Sequence, residues 1–384
     1  MGKAVKRGKS DVAKAERLVR EREATGIVAV ARLAGVATST VSRVLAGGER
    51  AAAFSQTTRR RVEKAARQLH YVPNSHARRL VRGRADHVAL VTRSPALPFF
   101  GEMVDQFVKV FGEFHIRVSV DVAEPREEEV AAAVRNFGGD MVDAIFVCPG
   151  DSSMWVEAGT GMGCPVVSLI HRPLDSRIPH VSFDIRSAAK IATAHLAGLG
   201  YRRIGYVGPS QGKDERMDGY LEAMNEAGLT VDRSFVFTDN YFQIDRAHEV
   251  GEKLLAMGQH PEALFVASDL NAIGVIHGLV QAGFSVPEDV AITSHDGIRL
   301  GAYYRPALTT MAVPWRTMVE RCVEMLQAIH AGADARNLLG LSAVLESSLV
   351  VRESCGRNAR PTTLRPSATC SSKPSFQNDT SKHS

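Results

Sequence analysis

From Val30 to Leu45 the chain reads Val-Ala-Arg-Leu-Ala-Gly-Val-Ala-Thr-Ser-Thr-Val-Ser-Arg-Val-Leu. Ala31 and Ala34 are small enough to let two helices approach closely, and Gly35 gives the backbone freedom for a tight turn between them. Val36, Val41, Val44 and Leu45 fall at positions that can face inward. That leaves Thr38, Ser39, Ser42 and Arg43 on the outer face at the start of the second helix, with Thr40 beside them. Side chains at that end of a recognition helix reach base edges in the major groove of DNA. An arginine fork can bond guanine through two atoms at once, and hydroxyls can meet either a base edge or a phosphate. The alternative is an ordinary helical hairpin with solvated polar residues.

The charge distribution bears on that choice. Residues 1–86 carry 20 Lys+Arg against 7 Asp+Glu, a net +13, while residues 87–384 carry 27 against 35, a net −8. A basic first fifth on an acidic remainder points to a polyanion partner for the N-terminal part only. The hydrophobic share of 45% and charged share of 23% are those of a soluble globular protein, and 384 residues imply two to three folded units. Residues 1–22 are rich in Lys, Arg and Glu, so no signal peptide is expected there, and no later stretch is apolar enough for a membrane helix. Cys148, Cys164, Cys322, Cys355 and Cys370 are scattered, and the histidines form no metal-spaced cluster, so neither metal nor cofactor is expected.

Three other patterns carry no chemistry. Residues 208–214, Gly-Pro-Ser-Gln-Gly-Lys-Asp, are one residue short of a phosphate loop, and Asp214 stands where a hydroxyl must bind magnesium. Ser294, His295 and Asp296 are consecutive and cannot form a nucleophile-base relay. No Gly-x-Gly-x-x-Gly follows an expected strand, which argues against a dinucleotide enzyme.

The elements that must hold these residues follow from periodicity. Ser55 is placed to cap a third helix running to Leu69, and Pro73 stops the chain from continuing it. A short basic segment, 75–84, follows. Strands rich in Val and Ile are expected at 87–92, 117–122, 143–147, 165–170, 203–207, 234–238, 263–267 and 290–293. Helices are expected between them: one through Phe99, Met103, Phe107 and Phe111, then 127–137, 216–227, 245–257 and 271–281. Alternating strand and helix means parallel sheets with helices on both faces, and two successive blocks mean two similar lobes with a cleft at the strands' carboxyl ends.

Ala-Gly-Val at 34–36, Thr-Val-Ser-Arg-Val-Leu at 40–45 and Tyr-Val-Pro-Asn-Ser-His-Ala-Arg-Arg-Leu at 71–80 resemble, in order and approximate spacing, the headpiece and hinge of the lactose-repressor/galactose-repressor (LacI/GalR) family of bacterial regulators. The resemblance continues through 98–100 (Pro-Phe-Phe), 181–184 (Val-Ser-Phe-Asp), 202–208, 216–220 and 306–310 to about Glu353. It implies that residues 74–80 form a hinge helix that folds when a dimer meets its operator, with Asn74, Ala77 and Arg78 at the DNA and Leu80 wedged into a minor-groove base step. It also implies that Phe99, Asp184, Arg216, Ser268 and Asp296 line an effector cleft. Asp accepts from paired hydroxyls, Arg donates a planar fork and an aromatic face packs the apolar side of a ring, which suits a polyol or acid ligand. Tyr241 or Phe242 could supply a second ring face. For Phe99 and Tyr241 the alternative is plain core packing, and for Asp184 a helix N-cap that could coexist with binding. Ala29, Ala37, Leu97 and Ser268 depart from the family's usual residues, the loop 46–54 is a few residues longer, and His295 is unusual. We read His295 as a turn residue, the alternative being a contact to an anionic ligand.

The expected architecture is therefore an all-α helix-turn-helix headpiece joined to an α/β, two-lobed, periplasmic-binding-protein-like effector domain with parallel sheets. The boundaries read as a basic flexible arm (1–25), the headpiece (26–72), the hinge (73–86), the effector and dimerisation domain (87–355) and a disordered tail (356–384). The function this implies is a cytoplasmic, nucleoid-associated regulator, a repressor rather than an activator and not an enzyme. Its partners would be double-stranded operator DNA, a small effector such as a sugar or sugar acid, and a second copy of itself, with no membrane. The competing readings are a solute-binding protein of a transport system and a cytosolic sugar-modifying enzyme.

Overall fold

The computed structural model describes residues 26–45, 51–71, 84–123, 126–137, 142–148, 154–155, 157, 161, 163–173, 175–210, 215–238 and 244–356. The first unit holds the helices Ile27–Ala34, Thr38–Leu45 and Gln56–Gln68. Val30, Ala31 and Ala34 from the first, Val41 and Val44 from the second, and Val62, Ala65 and Ala66 from the third make one small core. Val36, Leu45 and Leu69 pack against it partly buried. Ser55 caps the third helix, its hydroxyl accepting from Thr58 N–H at 3.2 Å.

The turn between the first two helices depends on Gly35, which sits at φ +62° and returns its N–H to the carbonyls of Ala31 and Arg32. A Cβ there would meet nothing within 4 Å, so the constraint is backbone strain alone. Gly35→Val should therefore cost the headpiece about 1–2 kcal/mol. The check is amide exchange in the full-length chain: Val30 and Val41 should exchange faster, and the lobes should not change. Equal exchange in both proteins would mean that the turn does not need glycine.

Two six-stranded sheets follow. The first contains β1 (His87–Thr92), β2 (Arg117–Val122), β3 (Ala144–Val147), β4 (Val166–Ile170), β5 (His180–Phe183) and β11 (Ala343–Leu345), in the order β11-β5-β4-β3-β1-β2 and parallel throughout. The second contains β6 (Ile204–Val207), β7 (Val236–Phe237), β8 (Ala263–Val266), β9 (Ala291–Asp296), β10 (Thr309–Ala312) and β12 (Ser348–Val350), in the order β12-β10-β9-β8-β6-β7. Only β12 runs antiparallel, against β10. Central strands β1, β3, β6 and β8 are buried along their whole length, as parallel strands covered on both faces must be.

In lobe 1 the helix Pro98–Glu113 turns Met103, Phe107 and Phe111 inward at successive four-residue steps, and Phe107 meets Phe146 of β3 with ring centroids 5.7 Å apart. Burying each such ring contributes about 1.5–3 kcal/mol. Lobe 2 is built around Tyr206, Tyr220 and Phe265, and both buried phenols donate to backbone carbonyls, Tyr220 to Ile204 at 2.8 Å and Tyr206 to Pro209 at 3.0 Å. No single helix among the described residues is long and apolar enough to cross a membrane.

The chain passes between the lobes at three points. β5 leads through Asp184 into the helix Ile185–Gly198, which packs on lobe 2. β10 leads into the helix Trp315–His330, which packs on lobe 1, and β11 leads into β12. β5, β10 and β11 all cross at their carboxyl ends, so the carboxyl ends of both sheets face the junction. That is where ligands bind in open α/β sheets.

Several expectations need correction. Residues 234–238 form a 3-10 turn, Arg233–Phe235, followed by the two-residue β7, and not a full strand. The helix expected at 245–257 is two helices, Ile244–Ala247 and Glu249–Leu255, broken at His248, whose carbonyl lies against Gly278 of the neighbouring helix Asp269–Gln281. His295 is not a turn residue. It is the penultimate residue of β9, 1% exposed, because β9 continues three residues beyond the expected 290–293.

Candidate functional site

The helix Thr38–Leu45 divides cleanly by exposure. Val41 and Val44 are buried, Thr40 is half-buried, and Thr38, Ser39, Ser42 and Arg43 are exposed. Spacings of one, four and five residues put the four exposed side chains on one face. The packing of Val41 and Val44 on the first and third helices thus holds three hydroxyls and one guanidinium outward on a rigid element. Arg60 and Arg61 are exposed on the third helix. Asn74, Ala77, Arg78 and Leu80 lie outside the described residues, as do Tyr241 and Phe242.

At the lobe junction the structure brings Arg216 and Asp296 together. Arg216 opens the helix Arg216–Glu226 and Asp296 ends β9; each is 7% exposed, and Arg216 Nη2 lies 4.0 Å from Asp296 Oδ1. That separation exceeds the reach of a direct hydrogen bond. His295 Nδ1 is 3.0 Å from the same carboxylate oxygen. Asp296 stands at φ +123°, an unusual backbone for a non-glycine residue, and Gly297 follows at φ +73°. Such strain persists only where the surroundings over-determine it, and it clusters at ligand sites.

What holds it is Asp269, a residue that sequence reasoning passed over. Fully buried at the start of the helix Asp269–Gln281, its carboxylate accepts from Ser294 hydroxyl at 2.5 Å, Thr310 hydroxyl at 2.6 Å and Ile298 N–H at 2.8 Å. Desolvation, and next the charge of Asp296, push its pKa up to about 7 against those three stabilising donors. The signal was present in the sequence, since Asp269 follows Ser268 directly after an apolar strand.

The remaining expected cleft residues are placed differently from one another. Ser268 is buried and its hydroxyl accepts from Asn271 N–H at 3.1 Å, capping the helix behind it. Asp184 is half-buried and caps the helix Ile185–Gly198, accepting from Ser187 N–H at 2.9 Å. Phe99 is half-buried in an aromatic group, 4.8 Å from Trp315 and 5.2 Å from Phe100, and Trp315 continues it to Phe183 at 5.4 Å. Core packing therefore accounts for Phe99 as found. Glu102, also passed over, reaches across from lobe 1 to accept from Arg299 N–H at 2.7 Å; its partial burial raises its pKa above the ordinary value, against that hydrogen bond. Among the described residues no group of His, Cys, Asp and Glu is arranged to hold a metal ion.

A helix-turn-helix with an exposed polar face and a two-lobed domain with a charged pair at its sheet ends can now be set beside known proteins. Residues 27–74 match the family described as bacterial regulatory proteins, lacI family, and residues 193–355 match the periplasmic binding protein-like domain. The HTH-type transcriptional repressor PurR of Vibrio cholerae is 30% identical over 304 residues, spanning 77% of this chain and 89% of that protein. A structure of the transcriptional regulator CelR in complex with cellobiose is 28% identical, with a TM-score of 0.62, and covers 86% of this chain and 99% of that one. The lac repressor dimer bound to operator and the anti-inducer ONPF shares the fold, with a TM-score of 0.69 at 23% identity over 85% of this chain and 97% of that one. On the strength of the PurR match and the two domain matches, the chain belongs to the LacI family of bacterial regulatory proteins, DNA-binding transcriptional regulators built from a helix-turn-helix headpiece and a two-lobed domain.

Proposed function

We propose that this regulator reads operator DNA with Thr38, Ser39, Thr40, Ser42 and Arg43, and that a small effector bound at Arg216 and Asp296 between the lobes sets its operator affinity. The observation that carries the DNA half is the exposure of Arg43 and its hydroxyl neighbours on a helix whose other face is locked into the headpiece core. The hinge residues Asn74, Ala77, Arg78 and Leu80 complete the DNA contact in this reading. The headpiece occupies 26–72, the hinge 73–86 and the effector domain 87–355. Operator DNA as partner implies a cytoplasmic, nucleoid-associated regulator that acts by repression and catalyses no reaction.

Two copies bind a pseudo-palindrome, one headpiece per half-site. Exposed apolar side chains on each lobe, among them Val108, Phe114 and Val122 on the first and Leu255, Val280 and Tyr303 on the second, are surface that a second copy can cover. The effector is a sugar, sugar acid or related metabolite: the Arg216 fork and the Asp296 carboxylate can divide a ligand's acceptor and donor oxygens between them. Ser268 follows β8 and Asp184 follows β5, each at a carboxyl end that faces the junction, and in this reading Phe99, Tyr241 and Phe242 supply the ring faces.

The test separates specific from general contacts. Arg43→Ala should weaken binding to operator by about 1–3 kcal/mol and relax the preference at one base per half-site. Arg60→Ala should weaken all sequences evenly, as loss of a phosphate contact does. Selection of sites from random DNA by each variant, at fixed salt, reads both effects. Equal loss of preference in the two variants would place the recognition surface elsewhere.

A further inference from the structure

The turn after Asp296 is held amide by amide. Gly297 N–H donates to Thr310 Oγ1 at 3.2 Å, Ile298 N–H to Asp269 Oδ2 at 2.8 Å and Arg299 N–H to Glu102 Oε1 at 2.7 Å. The first two acceptors belong to lobe 2, and Thr310 hydroxyl is itself fastened to Asp269. The third comes from the helix Pro98–Glu113 of lobe 1. So three consecutive backbone donors are captured by side-chain oxygens, and the last of them crosses the cleft.

Both ends of that crossing are rigid. On the lobe 1 side, Met103, Phe107 and Phe111 fix the helix into the core with no exposed surface, while Glu102 stands half-buried one turn after Phe99. On the lobe 2 side, Gly297 has no room for a side chain: a Cβ would lie 2.5 Å from Ala312 Cα. The turn therefore lies directly against the backbone of β10. A carboxylate accepting from an N–H makes a stronger bond than a neutral acceptor would. Separating the lobes must break it, and no residue of lobe 2 needs to move internally to do so.

We propose that Glu102 is a cross-lobe positioning residue: its carboxylate clamps the turn 297–299 to lobe 1, fixing the backbone that carries Asp296 and setting the lobe arrangement on which operator affinity depends. Glu102 acts on backbone and need not touch effector. Any ligand that spreads or draws together the lobes changes this one bond while the Thr310 and Asp269 bonds stay made, so the clamp is an element with two states. The clamp holds whichever residues contact the effector, so it can fail while the effector site at Arg216 and Asp296 stands, and the reverse.

The experiment needs no effector. In the full-length, ligand-free protein, amide exchange is followed at Gly297, Ile298 and Arg299 for wild type, Glu102→Ala and Glu102→Gln. Affinity is measured in parallel for an operator selected from random DNA by the wild type. In Glu102→Ala the Arg299 amide should exchange about tenfold faster, with Gly297 and Ile298 unchanged. Operator affinity should shift by at least about threefold in the same variant. Glu102→Gln, which keeps an acceptor oxygen, should stay close to wild type in both measurements. Three outcomes overturn the proposal: Arg299 exchange equal in wild type and Glu102→Ala, all three amides accelerating together, or a released Arg299 amide with operator affinity unchanged.

Discussion

Asp269→Ala is expected to destabilise lobe 2 by about 3–5 kcal/mol, the largest stability effect of any single polar substitution considered for this protein. The carboxylate is fully buried and accepts from Ser294, Thr310 and Ile298, so its removal strands two hydroxyls and one amide. Each stranded donor costs about 1–3 kcal/mol, less whatever a water in the vacated space recovers. Chemical unfolding of the full-length protein reads the loss. A change below about 1 kcal/mol would mean that the three donors find other partners.

The same residue carries a pH dependence of definite sign. Its folded-state pKa of about 7 lies above the ordinary carboxylate value of 3.8, so the native state holds the proton more tightly than the unfolded chain does. This contribution to stability is fully present below about pH 4 and is lost as pH rises toward 7. Asp269→Asn removes the titration but keeps an acceptor for the hydroxyls. The wild type should therefore lose more of its melting temperature between pH 5 and pH 8 than Asp269→Asn does. An identical pH profile in the two proteins would show that Asp269 stays ionised throughout. Asp296 takes part by raising the cost of a second negative charge nearby, which is why the effect should shrink when Asp296 is also made neutral.

What could be read in the sequence was set by contrast between neighbouring residues. The helix through Phe99, Met103, Phe107 and Phe111 was legible because large apolar side chains recur at four-residue steps among Gly, Glu, Asp and Lys. The helix Ile185–Gly198 was not singled out, although its motif residues were, because its inward face is mostly Ala and Thr, which differ little in hydropathy from what surrounds them. The helix Trp315–His330 is a different case: Trp315, Met318, Val319, Cys322, Val323 and Leu326 make a stripe at helical spacing that is legible in the sequence. Strands β5 and β10 are as short as β3 and β8 but mix His, Ser or Thr with their apolar residues, and β11 and β12 are only three residues long, so none stands out as an apolar run.

The candidate site was legible to a different depth. Arg216 and Asp296 are distant in sequence and meet because each stands at the end of a lobe 2 element facing the junction, a placement that the alternation of strands and helices implies. The roles of Ser268 and Asp184 as caps follow from local geometry that spacing alone leaves open. Glu102 was missed because its partner is a backbone amide of a turn, and no side-chain motif records which amides a fold leaves to be satisfied. The partners of Asp269 (Ser294, Thr310 and Ile298 N–H) lie 25 to 41 residues away and are gathered only by the fold.

Arg216→Ala is expected to lower effector affinity by about 2–4 kcal/mol, the largest functional effect foreseen. Arg216 is 7% exposed, so its guanidinium has little water to lose when a ligand oxygen replaces it, and its fork is held in place by the helix it begins. The 4.0 Å gap to Asp296 Oδ1 allows one ligand group to accept from the arginine while another donates to the carboxylate. Arg216→Lys keeps the charge and loses the fork, so it should fall between, about 1–2 kcal/mol below wild type. Ligands come from a thermal-shift screen of the wild type against neutral sugars and sugar acids, and calorimetry then measures each variant with the same compound. A carboxylate ligand should suffer more from Arg216→Ala than from Asp296→Asn, and a neutral polyol should suffer from both. In the gel shift, the effector concentration needed to alter operator binding should rise by the same factor as the dissociation constant, while the maximal response at saturation stays that of wild type. Affinity within threefold of wild type for Arg216→Ala would move the effector away from this pair. A lost maximal response with affinity unchanged would instead assign Arg216 to the coupling between the lobes.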